Sequence, residues 1–291
     1  MISKEIRHRV GEAASCTNLG TVYESVEEYE KATEHLEKSL VISKEIKHRV
    51  GEAACYLYLG GSYYSVGEYE KASDCLEKSL AIGRKIGDRH ILAMCYLDLG
   101  VTPASLGKYN RANGHNQSGL VVFMEIGDRD GVASCNITQG DISRRIGDLI
   151  KAKECYEKAL AISKEIGSKV RQALACSRLG RVLVDQAQYV RGQEYISMRL
   201  AISAEMGDIA IQFYSLQTMA ELRIKEGKIQ EAISYFLSGI EKCEEMRGSL
   251  RHNDQFKFSF SDSKISSYRS EERRVGKECS EPCRSRWSPY H

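Results

Sequence analysis

The sequence has no long apolar run, almost no net charge and no phosphate-binding loop. A membrane-spanning helix needs roughly 18 apolar residues in succession, and no stretch of this chain approaches that length. Lys and Arg number 42 against 40 for Asp and Glu, so the formal net charge is only +2. Such a balance provides no electrostatic reason to bind nucleic acid or an anionic membrane. The pattern G-x-x-x-x-G-K-[ST], which cradles phosphates, is also absent. These absences argue against membrane, nucleic acid and nucleotide as partners.

The chain also lacks an export signal and a recurring catalytic set. Its first residues, MISKEIRHRV, are charged throughout, which is unlike a secretory signal. We therefore predict a cytoplasmic protein whose ten cysteines are reduced thiols. Cys55, Cys95 and Cys135 recur without a second ligand type, so they are expected to pack as small hydrophobes and not to bind metal. No Ser or Cys recurs beside a His and an acid. We expect no catalytic residues, no metal and no cofactor, and hence no enzyme.

A repeat of 40 residues dominates the chain. Glycine recurs at this step, with Ala220 in the sixth place, at Gly20, Gly60, Gly100, Gly140 and Gly180. Twelve residues later a second column of small residues follows, at Ala32, Ala72, Ala112, Ala152, Gly192 and Ala232. Such a period is typical of stacked supersecondary units, which bind partners along an extended surface. Small residues in both columns would let two helices approach closely, where a larger side chain would overpack the crossing.

Each repeat has the pattern of two antiparallel helices, A and B. In the second repeat, Cys55 and Leu59 lie at helical spacing before Gly67, and Leu76 lies in a second helical pattern before Gly87. Both glycines stand where a helix end favours a positive φ. A tyrosine opens helix B in four repeats, at Tyr29, Tyr69, Tyr109 and Tyr189. Pro103 lies inside helix A of the third repeat and is expected to kink or shorten it.

Two segments carry a recognisable pattern. They are Leu19-Gly20…Tyr23…Ala32…Leu36 and Leu59-Gly60…Tyr63…Ala72…Leu76. The pattern L-G-x-x-Y, then A, then a large apolar residue resembles the tetratricopeptide repeat (TPR), whose usual period is about 34 residues. HEAT and armadillo repeats have periods of about 40–47 residues, but the Gly, Ala and Tyr columns argue against them. The 40-residue form is similar to the arrays of LGN/Pins-type regulators and tetratricopeptide repeat protein 28-like scaffold proteins. The resemblance implies an all-α fold, a right-handed TPR superhelical solenoid of antiparallel helix pairs.

The resemblance also implies a binding surface. In this family the A helices line a concave groove, and the family pattern places in it Asn18, Thr21, Glu24, Tyr58, Gly61, Tyr64, Asp98, Gln217, Thr218 and Glu221. In LGN-like arrays a column of asparagines clamps a peptide backbone. Here only Asn18 matches that column, which continues with Tyr58, Asp98, Thr138, Arg178 and Thr218. We therefore do not expect an asparagine clamp.

The groove positions of the fourth and fifth repeats contribute four arginines on neighbouring A helices. They are Arg144, Arg145, Arg178 and Arg181. Guanidinium groups bind carboxylates in a bidentate way, so this basic patch is expected to receive an acidic peptide or a C-terminus. The alternative is ordinary surface arginine, partly paired with Asp141 and Asp185.

The two ends differ from the repeats. Residues 1–6 match residues 41–46, so we expect the array of residues 1–250 to start inside a helix B, and His8 to lie in a loop like its equivalent His48. Residues 251–268 are interpreted as a linker, and this junction resembles one that leads into a caspase-like CHAT domain in some animal arrays. Residues 269–291 resemble a translated sequencing adapter and are interpreted as a non-native, disordered tail. A metal site at Cys279, Cys283 and His291 has too few ligands for structural zinc.

Taken as a whole, the sequence predicts a scaffold or adaptor in signalling that binds partner proteins or peptides in the groove of a TPR array. The alternative is the regulatory TPR region of a CHAT-domain protein whose catalytic domain is missing. Self-association through uncapped array ends is a third expectation, because solenoids need polar terminal units.

Overall fold

A computed structural model describes residues 2–249 and the side chains of residues 6–245. This part of the chain contains twelve α-helices and no strand. The A helices are α1 (Ile2–Ser25), α3 (Arg49–Ser65), α5 (Arg89–Ser105), α7 (Arg129–Ile146), α9 (Lys169–Asp185) and α11 (Ile209–Lys225). The B helices are α2 (Tyr29–Glu45), α4 (Tyr69–Ile86), α6 (Tyr109–Ile126), α8 (Leu149–Glu165), α10 (Tyr189–Met206) and α12 (Ile229–Ser249). The predicted linker 251–268, the tail 269–291 and the CHAT junction lie outside the described residues, as do Cys279, Cys283 and His291.

The helices belong to two compact units. The first unit ends at Arg171 and the second begins at Gln172, within α9. In both units each A helix is followed by a B helix, as the sequence predicts, and the fold class is all-α. Across residues 2–249 no helix is both long and apolar enough to cross a membrane.

Glycine and aspartate together make the sharp turns between helices. Gly67 and Gly87 have φ of +83° and +72°, which confirms their predicted role. Asp88, which follows Gly87, caps α5 by accepting the backbone N–H groups of His90 and Ile91, each at 3.0 Å. The same Gly-Asp pair precedes three other helices, through Asp128, Asp148 and Asp208. The recurring Gly-Asp therefore ends one helix and starts the next.

The loop predicted at His8 is not observed. His8 lies within α1, which is continuous from Ile2 to Ser25, whereas its equivalent His48 does lie in a turn, as the residue that precedes α3. That turn is held by the His48 N–H, which donates to Ser43 O at 2.8 Å, and by the packing of α2 against α3. The backbone is helical on both sides of His8, so no turn equivalent to that of His48 forms there. The assignment of residues 1–6 to a helix B stays a prediction.

Pro103 does not shorten its helix. Both α5 and its equivalent α3 have 17 residues and end at equivalent serines. Pro103 stands in the last turn, so its ring and its missing N–H disturb only the end of the helix. Its carbonyl still accepts the N–H groups of Leu106 at 3.1 Å and Lys108 at 2.8 Å, which closes the helix end.

The small residues of the two columns permit close packing within each hairpin. A Cβ added at Gly60 would lie 2.7 Å from Leu76 Cγ and 3.4 Å from Ala72 O. The glycine therefore admits both the neighbouring backbone and a large side chain 16 residues later. One predicted core residue differs, because Leu19 is 44% exposed while its equivalent Leu59 is 3% exposed. Leu59 packs against side chains of the preceding B helix, α2, and α1 is the first helix described.

The cysteine column takes part in a buried hydrogen-bond relay. The Cys95 thiol donates to Ser79 Oγ at 3.1 Å, and the Ser79 hydroxyl donates to Ala53 O at 2.8 Å. The relay thus links α5, α4 and α3, and Cys55 and Ser39 repeat it with Ala13 O one repeat earlier. Burial raises the pKa of the Cys95 thiol to about 12, as it does for Cys135. Both thiols therefore stay protonated at neutral pH, and their buried packing is confirmed.

Loss of the relay should weaken the first unit measurably. Ser79→Ala removes the acceptor of the Cys95 thiol and the donor to the Ala53 carbonyl, so we expect a loss of roughly 1–2 kcal/mol in the free energy of unfolding. Urea unfolding followed by circular dichroism measures it. Ser118→Ala is the control, since the Ser118 hydroxyl donates to Gly114 O within its own helix, α6, and the change should alter stability by less than about 0.5 kcal/mol. Equal effects of the two changes would contradict the relay.

Candidate functional site

Successive A helices of the first unit form one surface. In the described part of that unit α1 contacts α3, α3 contacts α5 and α5 contacts α7, whereas successive B helices do not contact one another to the same extent. The A helices therefore lie on the more closely spaced side of the stack. We call this surface the A-helix wall. The predicted groove residues that lie on it are Asn18 and Thr21 of α1, Tyr58 and Tyr64 of α3, and Asp98 of α5, all at least partly exposed.

Tyrosines occupy the middle of the A-helix wall. Tyr58 is 38% exposed on α3. Six residues later the Tyr64 hydroxyl lies 3.4 Å from Ser105 Oγ on α5, and the Tyr64 ring packs on Tyr69 with centroids 5.3 Å apart. Tyr64 is therefore held in place between helices, while Tyr58 presents an aromatic face to solvent. Amphipathic rings of this kind are common at protein-binding surfaces.

Two carboxylates flank these tyrosines. Burial raises the pKa of Asp98 on α5 to about 7, and the negative charge of Glu24 on α1 raises it further in the same direction. Burial also raises the pKa of Glu24. The Glu24 carboxylate lies close against α3, since a Cβ added at Gly61 would be only 3.1 Å from Glu24 Oε1. Segments 17–25, 57–65 and 97–105 contain no Lys or Arg. This part of the wall is therefore aromatic and becomes acidic as pH rises through 7.

The four predicted arginines belong to different units. Arg144 and Arg145 lie in the last turn of α7 in the first unit, with Arg145 exposed. Arg178 and Arg181 lie on α9 in the second unit. Asp141, a suggested partner for them, accepts a hydrogen bond from the Tyr156 hydroxyl at 2.6 Å. The single patch of four arginines stays a prediction.

The second unit has a cleft between its A helices α9 and α11. Its volume is about 110 Å³, and it is lined by Arg181, Val184, Asp185, Thr218, Glu221, Leu222 and Lys225. Arg181, Thr218 and Glu221 are positions that the family pattern places in the groove, so these three are brought together. Gln217, also predicted, donates to Glu221 Oε1 at 3.2 Å. Lys225 Nζ lies 3.7 Å from Asp185 Oδ1. The cleft is thus lined by positively and negatively charged side chains and by two apolar ones, Val184 and Leu222.

The structure adds Arg199, which the sequence analysis did not single out. Arg199 lies on α10, a B helix, and is partly buried. Burial lowers the pKa of its guanidinium, and the positive charges of Arg178 and Arg181 lower it further. Three arginines are therefore close enough to repel one another. The family pattern places groove residues on A helices alone, so nothing in the sequence indicated that Arg199 of a B helix would lie near Arg178 and Arg181.

Comparison with known protein families assigns the repeats. Residues 10–85 and 52–120 match one tetratricopeptide repeat model, and residues 133–166 match another. The period and the Gly, Ala and Tyr columns thus predicted the repeat type correctly. No curated protein matches the chain.

Several solved structures share the fold. The apo form of RapI is 18% identical, with a TM-score of 0.66 over 82% of this chain and 85% of RapI. A Rap protein complexed with competence and sporulation factor is 14% identical, with a TM-score of 0.70 over 92% of this chain and 75% of that protein. A signal transduction ATPase from Pyrococcus horikoshii with a tetratricopeptide repeat sensor is 15% identical, with a TM-score of 0.66 over 91% of this chain and 43% of that protein. At these identities the likeness concerns the fold alone.

Proposed function

Because the chain carries tetratricopeptide repeats, we propose that it is a protein-interaction scaffold or adaptor that binds partner peptides on its A-helix surfaces. The observation that carries the proposal is the A-helix wall, where adjacent helices present Tyr58 to solvent beside half-buried polar groups. An extended partner segment can contact several helices at once on such a surface. The proposal assigns no catalytic step to the chain. We also propose that the protein acts in signalling in the cytoplasm.

Comparable proteins make peptide or protein binding a reasonable function for this fold. One Rap protein of similar fold was solved in complex with competence and sporulation factor, and another similar chain carries its repeats as a sensor. Acidic segments are proposed among the partners, at Arg144 and Arg145 of the first unit or, separately, at Arg178 and Arg181 of the second. Self-association through the ends of the array also stays a proposal. It is supported by Leu19 and Val22 of α1, which are 44% and 57% exposed.

A pair of matched variants tests the A-helix wall. The full chain is used for affinity capture, captured proteins are identified by mass spectrometry, and their binding to purified variants is measured by calorimetry. We expect Tyr58→Ala to lower the affinity for the specific partner about tenfold, because truncating a central aromatic contact commonly costs more than about 1 kcal/mol of binding free energy.

Val121→Ala is the control for that experiment. Val121 lies on the B helix α6 and is 55% exposed, so its truncation should leave both binding and folding unchanged. If partners bind the Tyr58 variant and the wild type with equal affinity, the A-helix wall is not the binding surface.

A further inference from the structure

We propose that Arg181 and Arg199, assisted by Arg178, form a carboxylate-binding site in the second unit that receives an acidic residue of a partner segment. The inference rests on the proposed function and names the chemistry of one place within it. It assigns acidic recognition to three arginines of one hairpin, α9 and α10, and not to the four-arginine patch that the sequence predicts. Arg199 is the addition, and it comes from a B helix.

The register of the hairpin brings these side chains together. Gly180 of α9 faces Ile196 of α10, because an added Cβ would lie 2.8 Å from Ile196 Cγ1. One turn further along α9, Val184 faces Gly192, with Val184 Cγ2 2.9 Å from the position of a Gly192 Cβ. Each step along α9 is thus matched by an equal step back along α10. Arg199 lies level with residue 177, beside Arg178 and one turn from Arg181.

The charges at this place favour an anion. Three guanidinium groups close together repel one another, and the pKa of Arg199 is lowered by burial first and then by its two arginine neighbours. A carboxylate placed among them would relieve that repulsion, and it matches the planar fork of a guanidinium in a bidentate way. Asp208 is the acidic group that acts on Arg199, and it favours the charged form. A partner carboxylate would act on the Arg199 guanidinium in the same direction as Asp208 does.

The neighbouring cleft defines where the rest of the partner residue lies. Arg181 lines the cleft between α9 and α11, together with the apolar side chains of Val184 and Leu222. Both are nearly buried, at 9% and 1% exposed, so they close the inner side of the cleft and the polar residues form its open side. Lys225 lies 3.7 Å from Asp185 within the cleft, so its charge already has a neighbour of opposite sign. The acidic Asp185 and Glu221 line the same cleft, so we expect the carboxylate to bind at the Arg181 and Arg199 end.

Model peptides test the site in the full chain. The probes are fluorescent hexaglutamate with an amidated C-terminus and fluorescent hexaglutamine with a free C-terminus, which separate a side-chain carboxylate from a terminal one. Binding is measured by anisotropy at low and high salt. We expect hexaglutamate to bind the wild type, and R199Q to weaken that binding about tenfold, as expected for loss of a charge-assisted hydrogen bond. R199K keeps the charge without the planar fork, so it should bind with intermediate affinity.

The matched control is R111Q. Arg111 is an exposed arginine on the B helix α6 of the first unit, where it pairs with Glu77, and its loss should leave the affinity for hexaglutamate unchanged. R181Q is a second site variant, and because Arg181 is exposed it should keep the fold intact if R199Q does not. If only hexaglutamine binds, and R199Q abolishes its binding, the site takes a chain terminus and the proposal of an acidic side chain is overturned. Equal hexaglutamate affinity in R199Q, R181Q and wild type would overturn the site.

The outcome is separable from that of the proposed function. If captured partners are weakened by Tyr58→Ala while hexaglutamate binds R199Q and R181Q as it binds the wild type, the arginine site is refuted and the scaffold proposal stands. If Tyr58→Ala and R199Q both leave partner binding unchanged, and both site variants keep hexaglutamate affinity, both proposals are refuted.

Discussion

Gly131→Ile should destabilise the first unit by roughly 3 kcal/mol, and adding Phe123→Gly to the same chain should restore most of the loss. A Cβ added at Gly131 would lie 2.5 Å from Phe123 Cγ, with other ring atoms closer still. Phe123 is only 1% exposed and has no room to move aside. The added side chain must therefore displace either the ring or the backbone of α7.

The second change restores a pairing that the chain already uses. One repeat earlier the equivalent positions are Gly83 and Ile91, where a Cβ added at Gly83 would lie 3.0 Å from Ile91 Cγ2. The large and small residues have exchanged places between the two repeats. Phe123→Gly alone should cost about 3–5 kcal/mol in the free energy of unfolding, through the cavity it leaves. The double variant copies the earlier pairing. In the chain that already carries Gly131→Ile, Phe123→Gly should therefore be stabilising.

Thermal and urea unfolding of the four chains form a double-mutant cycle that measures this coupling. Gly114→Ala on α6 is the control, because no atom lies within 4 Å of its added Cβ. That change should stabilise the helix by up to about 1 kcal/mol. Additive effects of the two changes at positions 123 and 131 would mean that these residues do not compete for the same space.

The second large effect concerns pH. Asp98→Asn should leave stability nearly unchanged at pH 4 and raise it by about 1–3 kcal/mol at pH 8. Burial, with a smaller contribution from Glu24, raises the pKa of Asp98 from its ordinary 3.8 to about 7. Below pH 4 the carboxyl is protonated in the folded and the unfolded chain alike. Between pH 4 and pH 7 only the unfolded chain releases the proton, so the wild type loses stability there, and above pH 7 the loss is complete.

The size of this effect follows from the same shift. A change from 3.8 to about 7 corresponds to roughly 4 kcal/mol as an upper limit. Asp98 is only partly buried, so solvent reduces the cost. The measurement is the difference in unfolding free energy between Asp98→Asn and wild type at each pH, which removes the titration of other groups. Asp74→Asn, an exposed change on α4, should retain the wild-type pH dependence. A difference that does not vary with pH would contradict the buried carboxyl.

The sequence predicted the repeats well because their signals are local. The positive φ of Gly67 and Gly87, the tyrosines that open four B helices and the burial of Cys55, Cys95 and Cys135 each follow from a residue and its position in the period. His8 was predicted wrongly to lie in a loop by the same logic. The turn at His48 is also held by the packing of α2 against α3, a tertiary contact that a residue's position in the period does not specify.

The candidate sites depend on distances between repeats, which the period does not specify. Asp98 and Glu24 stand 74 positions apart in the sequence, and only the stacking of α1, α3 and α5 makes one raise the pKa of the other. Arg199 belongs to a B helix, outside every position that the family pattern assigns to a groove. The electrostatic effect of one charged side chain on another depends on burial and on how the helices stack. It therefore could not be derived from the sequence.

Sequence alone determined that this chain forms helical hairpins of fixed length, because Gly, Asp, Ala and Tyr at a constant period specify each turn and crossing through short-range sterics and hydrogen bonds. The tertiary structure decided which side chains lie together, namely the carboxylates around α3 and the arginines of α9 and α10. It also decided that the large and the small residue pair as Phe123 with Gly131 in one repeat and as Ile91 with Gly83 in the repeat before. Those outcomes depend on how one hairpin packs against the next, and packing energies come from shapes and charges that meet only after the chain has folded.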